Sequence, residues 1–350
     1  MTGHARVRNA GVDLVRVIGV AAVVFGHVYG AIPAVHQWVY AWHVPLFFVL
    51  SGYFWRASGA RRTPQRRTFA DEFRIRARTL ALPYVSWFLV IAVLGRVIPN
   101  PSGNIDGSLL IVLARGGSNA TGLFGTFWFV SALFFTCLLY RLIDRLPWAW
   151  QAAIALVGLA AGIFAGQWLG ATPLGIGQAL PCVAFVMAGR LLRHVEPRLR
   201  RPVVIGGAAI AMAALLIAVV PMTPIDLKSG GWGLPLLGPL LAVLISGGMI
   251  LVGSRLPIPE RAAGPITALA SVAIAVVLFH PYPIWLLNGW HVAHAVILLV
   301  ALVVPWGVAL LLRSTPLAYP LLGIPRTLRK PRVLATTPGG ADAPQARASR

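Results

Sequence analysis

Along the chain, apolar stretches of about 20 residues alternate with short polar connections. At 1.5 Å per residue, a helical stretch of that length crosses the roughly 30 Å hydrocarbon layer of a bilayer. The pattern predicts an all-α fold, a polytopic bundle of about ten transmembrane helices. The predicted spans are 11–32, 42–56, 79–98, 126–145, 149–168, 174–193, 203–221, 234–253, 265–285 and 291–312. The second, Trp42 to Arg56, is short and reads as tilted or partly re-entrant. No Ala-x-Ala site follows the first run, which is expected to be retained as a helix. Residues 1–330 form the expected membrane domain. The tail 331–350, rich in Pro, Ala, Gly and Thr, is expected to be disordered.

Composition agrees with a protein dissolved in lipid. Hydrophobic residues make up 58% of the chain and charged residues 11%, against about 25% charged in soluble domains. The net charge of +21 invites a nucleic-acid reading. The basic residues form no single face or arm, however, so the expected partner is the lipid bilayer and not nucleic acid. They gather in alternate connections. Arg6 and Arg8 precede span one; Arg56, Arg61, Arg62, Arg66, Arg67, Arg74, Arg76 and Arg78 lie between spans two and three. Arg141, Arg145, Arg190, Arg193, Arg198, Arg200, Arg201, Arg255, Arg261 and Arg313 continue the series, while the other connections hold only Arg96, Arg115 and Lys228. Ten helices with both termini cytoplasmic give this alternation under the positive-inside rule. Cys137 and Cys182 fall inside apolar runs and read as helix-packing residues. Gly158, Gly162 and Gly166 recur every four residues, which suits close packing within the bundle or a contact in a homo-oligomer.

Ionisable side chains within a membrane helix are costly, so each requires a reason. Span one carries Asp13, Arg16 and His27. Arg16 and His27 are eleven residues apart, about three turns, so they share one helix face roughly 16 Å apart along the axis. Asp13 is one turn from Arg16 and can pair with it. Snorkelling of Arg16 and His27 to opposite interfaces is the plainer alternative. His43 then opens the run His43-Val44-Pro45-Leu46-Phe47-Phe48-Val49-Leu50-Ser51-Gly52-Tyr53.

Those residues carry a resemblance. Asp13-Leu14-Val15-Arg16, His27 and the Pro-Leu-Phe-Phe-x-Leu-Ser-Gly-Tyr run are similar to the acyltransferase-3 family of integral membrane O-acyltransferases. The resemblance continues through Arg78, Pro83-Tyr84, Trp128-Phe129 and Leu278-Phe279-His280-Pro281. It implies transfer of an acyl group, often acetyl, from acyl-CoA to a hydroxyl on a carbohydrate, lipid-linked glycan or natural product. It also implies that Arg16 and His27 are essential and that the arginines between spans two and three bind the donor. The stretch Trp128-Phe129-Val130-Ser131-Ala132-Leu133 lacks the glutamate of many glycan-acylating members. In this it resembles the branch that includes proteins described as fucose acetylases.

The residue chemistry fits those roles. A neutral imidazole can take the proton of a hydroxyl as it attacks a thioester, which makes His27 the expected general base. Arg16 is expected to bind donor phosphate or to hold Asp13. His280 is expected to orient His27 or the acceptor, the alternative being an interfacial histidine. Arg74, Arg76 and Arg78 are the candidates for the phosphates of acyl-CoA, the expected donor, or else serve only as a topology signal. His43, Ser51, Tyr53 and Trp128 are the substrate-side candidates, Trp128 being also a candidate for aromatic core. No metal is expected. A flippase for a lipid-linked glycan would also use ten helices and buried charge, although no inverted repeat is evident.

Overall fold

The computed structural model describes residues 9–56, 67–101, 111, 115–221, 223 and 225–326. Arg6, Arg8, Arg61, Arg62, Arg66 and the expected disordered tail 331–350 lie outside the described residues. The chain opens with helices α1 (Ala10–Tyr29), α2 (Pro33–Tyr40), α3 (Pro45–Tyr53), α4 (Phe69–Arg76) and α5 (Leu82–Val97), the last two joined by a π-helical turn, Ala77–Ala81. Four longer helices follow: α6 (Phe127–Ile143), α7 (Trp148–Gly170), α8 (Ala179–Val195) and α9 (Pro202–Val219). A small antiparallel hairpin, β1 (Ile225–Asp226) and β2 (Gly231–Trp232), interrupts the helices. The remainder is α10 (Leu237–Arg255), α11 (Glu260–Ser271), α12 (Ala273–Phe279), α13 (Pro281–Gly289), α14 (His294–Leu312) and α15 (Ala318–Leu322).

Among the described residues, eight helices are long and apolar enough to cross a membrane, and α11 to α13, bent by 49°, make a ninth if the bent pair is counted as one span. The segment expected at 42–56 is α3, nine residues long, about 13 Å at helical rise and too short to cross alone. It still returns the chain to the end where α1 began. The start of α3 lies against Phe129, near the C-terminal half of α1. At its other end the Tyr53 hydroxyl donates to Glu196 just beyond α8 (2.7 Å), and the Trp55 indole N–H donates to Asp144 beyond α6 (3.0 Å). The alternation of basic connections is thereby preserved, and the chain is a multi-pass, all-α membrane bundle.

The helices place apolar side chains outward and polar ones inward. Phe164 and Trp168 on α7 are 86% and 83% exposed, and Leu89, Val93 and Leu311 are exposed likewise, as lipid contact requires. Buried inside are Asp13, His43, Glu72, Arg141, Asp144, Gln151 and His280. Small residues let the helices meet closely. A side-chain carbon at Gly52 of α3 would overlap the Val186 carbonyl of α8, and one at Gly189 would overlap the Val49 carbonyl, so those two backbones touch. The Gly158, Gly162 and Gly166 stripe is filled within the chain, by Leu180, by Pro181 with Trp232, and by Gly230 respectively.

At the arginine-rich end an ion cluster joins three segments: α4, the end of α6 and the stretch after α3. Arg141 on α6 donates to Glu72 of α4 (2.7 Å), to Asp144 (2.6 Å) and to the Arg56 carbonyl (3.0 Å), and Arg76 donates to Glu72 (2.7 Å). Arg141 also lies over the Trp55 ring, 4.3 Å from its centroid. Charges this deep need partners of this kind.

Candidate active site

A cavity of about 500 Å³ opens at the end of the bundle opposite the arginines. Its walls come from the C-terminal half of α1, from α2, from the turn before α6, from the hairpin and from α13. The hairpin is held by Trp232, which stacks on Phe185 of α8 with centroids 5.8 Å apart and fits against Gly162. Gly230, at φ +82°, makes the turn that lays the strand pair against Gly166.

His27 reaches the cavity from α1. It lies deep in the protein, yet its ring is exposed, because the space it faces is large enough for solvent or substrate. Its Nδ1 is 2.9 Å from Nε2 of His280, with the rings stacked at 5.0 Å. His280 sits at the break between α12 and α13, where Pro281 begins a new helix, and is fully buried. The His280 Nδ1 is 2.9 Å from the Val276 carbonyl. A ring nitrogen facing a carbonyl carries the hydrogen, so Nε2 of His280 is the acceptor and Nδ1 of His27 the donor. That chain leaves Nε2 of His27 with its lone pair, a basic nitrogen on a ring that lines the cavity.

His43 and Trp128 line the same cavity. Nδ1 of His43 donates to the Val39 carbonyl at 2.8 Å, so its Nε2 is likewise an acceptor. The other two substrate-side candidates, Ser51 and Tyr53, do not line it. Ser51 donates back to the Phe47 carbonyl (2.9 Å), and Tyr53 is committed to Glu196 and Arg193 at the far end.

Asp13 and Arg16 stand on α1 toward the arginine-rich end. Their closest charged atoms are 3.9 Å apart, Thr267 donates to Asp13 at 3.0 Å, and Arg16 lies 5.5 Å from the Phe54 ring centroid. Arg74 and Arg78 are exposed, while Arg76 turns inward to Glu72. The structure thus brings together His27, His280, His43 and Trp128 at one end and collects the arginines at the other.

Among the cavity groups that were not sequence candidates are His36 and Tyr40 on α2, Thr126 before α6, and Lys228 in the hairpin turn. Lys228 carried a signal, being one of two lysines in the chain and nearly alone among basic residues on its side. His36 and Tyr40 had none, because their helix read only as a connection, and Thr126 read only as the first residue of span 126–145.

These features define a class: a multi-pass membrane protein with a histidine-lined cavity inside the bundle. A family model described as an acyltransferase domain, that of acyltransferase-3, matches residues 9–321, and the chain belongs to that family. The nodulation protein NolL of Mesorhizobium japonicum is 30% identical over 155 residues, which cover 43% of this chain and 37% of that protein. The chain therefore aligns with well under half the length of this relative. No solved structure matches it.

Proposed function

We propose that this membrane acyltransferase moves an acyl group, acetyl foremost, from acyl-CoA to a hydroxyl of a sugar, an envelope glycan or a natural product, with His27 as general base. The observation that carries this reading is the hydrogen bond from His27 to His280, which leaves a basic nitrogen of His27 in the cavity. The acceptor hydroxyl gives its proton to Nε2 of His27 as its oxygen attacks the thioester carbonyl carbon. The tetrahedral adduct collapses with breakage of the carbon–sulfur bond. The imidazolium returns the proton to the departing CoA thiolate, so the enzyme ends as it began. His280 contributes by holding the ring and its tautomer, a positioning role.

The donor enters from the arginine-rich end, which by the positive-inside rule faces the cytoplasm of a cell membrane. Arg74 and Arg78 are exposed there and offer charge to the CoA phosphates. Arg76, held by Glu72, fixes the helix that presents them. Arg16 stands on α1 between that end and His27, along the path that the pantetheine arm would take. Trp128, with the aromatic walls around it, offers a ring face to the acceptor.

The direct check is transfer of label from radiolabelled acetyl-CoA, or from longer acyl-CoA donors, to envelope glycans by the purified protein. Labelled glycan is the expected product. Failure of every donor to label any acceptor class would remove the reading.

A further inference from the structure

Acyl transfer leaves Lys228 without a task. It sits in the turn of the hairpin, half-buried, and lines the same cavity as His27. Among the described residues no carboxylate forms an ion pair with its ammonium. Asp226, two residues before it, is occupied by its own turn. One carboxylate oxygen accepts the Lys228 backbone N–H (3.2 Å) and the other the Ser229 hydroxyl (2.8 Å).

On the adjoining wall, the Lys228 Nζ lies 3.4 Å from the point where a side-chain carbon on Gly125 would stand. Gly125 and Thr126 lead into α6, a helix of 17 residues. A helix N-terminus carries partial positive charge and free N–H groups. Thr126 is its N-cap residue but makes no side-chain cap bond. It is 4% exposed, and its hydroxyl oxygen has no hydrogen-bond partner among the described residues. An ammonium, a positive helix end and an unused hydroxyl therefore meet on one wall. Positive charges that close repel, and an anion between them relieves both.

We propose that this wall binds an anionic group, a carboxylate or a phosphate, carried by the acceptor, so that the acceptors of this enzyme are acidic glycosides. That the ligand is an acceptor rests on the acyl-transfer reading; the anion site itself does not. The donor's own phosphates belong at the arginine-rich end, beyond Arg16 and about 16 Å along α1 from His27. The charge at Lys228 is consequently the acceptor's. With its anion on Lys228 and Thr126, and its ring against Trp128 or Trp285 of the same cavity, a sugar would present a neighbouring hydroxyl to His27.

Two probes that differ in one group test this. Methyl β-glucuronide and methyl β-glucoside are titrated against the full-length protein in nanodiscs at fixed ionic strength, with tryptophan fluorescence as the readout. The glucuronide binds roughly ten-fold more tightly, the gain of one charge-assisted contact. Inorganic phosphate competes with it. Lys228→Met abolishes the preference, and Lys228→Arg, which keeps the charge, retains it. His27→Ala retains it too, since holding an anion needs no base. Equal affinity for the two glycosides, including none for either, overturns the proposal, as does a preference that survives Lys228→Met. Failure of the acyl-transfer reading would look different: the wild type would prefer the glucuronide yet release no CoA from acyl-CoA.

Discussion

His27 Nδ1 stands 2.9 Å from His280 Nε2 across 253 residues of chain, and His280 is anchored in turn to the Val276 carbonyl. If His280 positions the base, His280→Ala lowers kcat for acyl transfer roughly 100-fold, the penalty of a catalytic group out of place, and leaves the KM for acyl-CoA unchanged. Steady-state kinetics over a donor titration read both quantities. A loss confined to KM would assign His280 to substrate binding instead.

The Glu72 carboxylate is fully buried between Arg76 and Arg141. Removing one member of such a cluster leaves uncompensated buried charge, so Glu72→Ala should destabilise the protein by about 3–5 kcal/mol. Denaturant unfolding in detergent measures this. Stability equal to wild type would mean that the cluster is open to water in the working protein.

The backbones of α3 and α8 touch at Gly52 and Gly189. Gly189→Ala forces them apart and should cost about 1–3 kcal/mol, the usual penalty of overpacking. It should also lower the yield of monodisperse protein on size exclusion. Gly207→Ala on α9 has open space around it and is expected to be neutral or slightly stabilising. Matching behaviour of the two variants would refute the close approach.

Burial holds the Lys228 pKa below the ordinary lysine value, against the opposing pull of Asp226. The other titratable groups around the cavity are His27 on α1, His36 and Tyr40 on α2, and His43 before α3. Tyr40 is pushed up, by burial and then by Asp226, so it stays neutral near pH 7. A lysine with a lowered pKa is fully charged below that value and loses its charge as pH rises through it. The preference for methyl β-glucuronide should therefore be full near neutrality and fade at a lower pH than an exposed lysine, near pH 10.4, would allow. Titrations between about pH 7 and 10.5 follow the loss. A preference that holds up to the ordinary lysine range would contradict it.

Much of the bundle was legible because a membrane helix is written as one long apolar stretch, and the stretches beginning at 11, 79, 126, 149, 174, 203, 234 and 291 each overlap such a helix, although the helix at 79 begins ten residues earlier, at Phe69. The segment at 42–56 was visible as short, but only the structure limits it to nine helical residues between Pro45 and Tyr53. The hairpin was invisible: strands of two residues carry no alternating pattern. Of the site, His27 and His280 were each legible on a helix as polar residues in apolar runs. Their hydrogen bond was not, because it depends on how α1 packs against α12. Ser51 and Tyr53 share a run with His43, yet α3 carries them away from the cavity, which a linear run does not reveal. Arg76 parted from Arg74 and Arg78 because Glu72, one turn earlier, turns it inward.

The proposed base for acyl transfer is His27. The most direct test of that role is acyl-CoA-dependent release of free CoA by membranes holding wild type or His27→Ala, with envelope glycans as acceptor and matched amounts of inserted protein. Release by wild type is expected, with a fall of at least roughly 100-fold in the variant, the contribution of a general base. Release by His27→Ala at the wild-type rate would contradict that role.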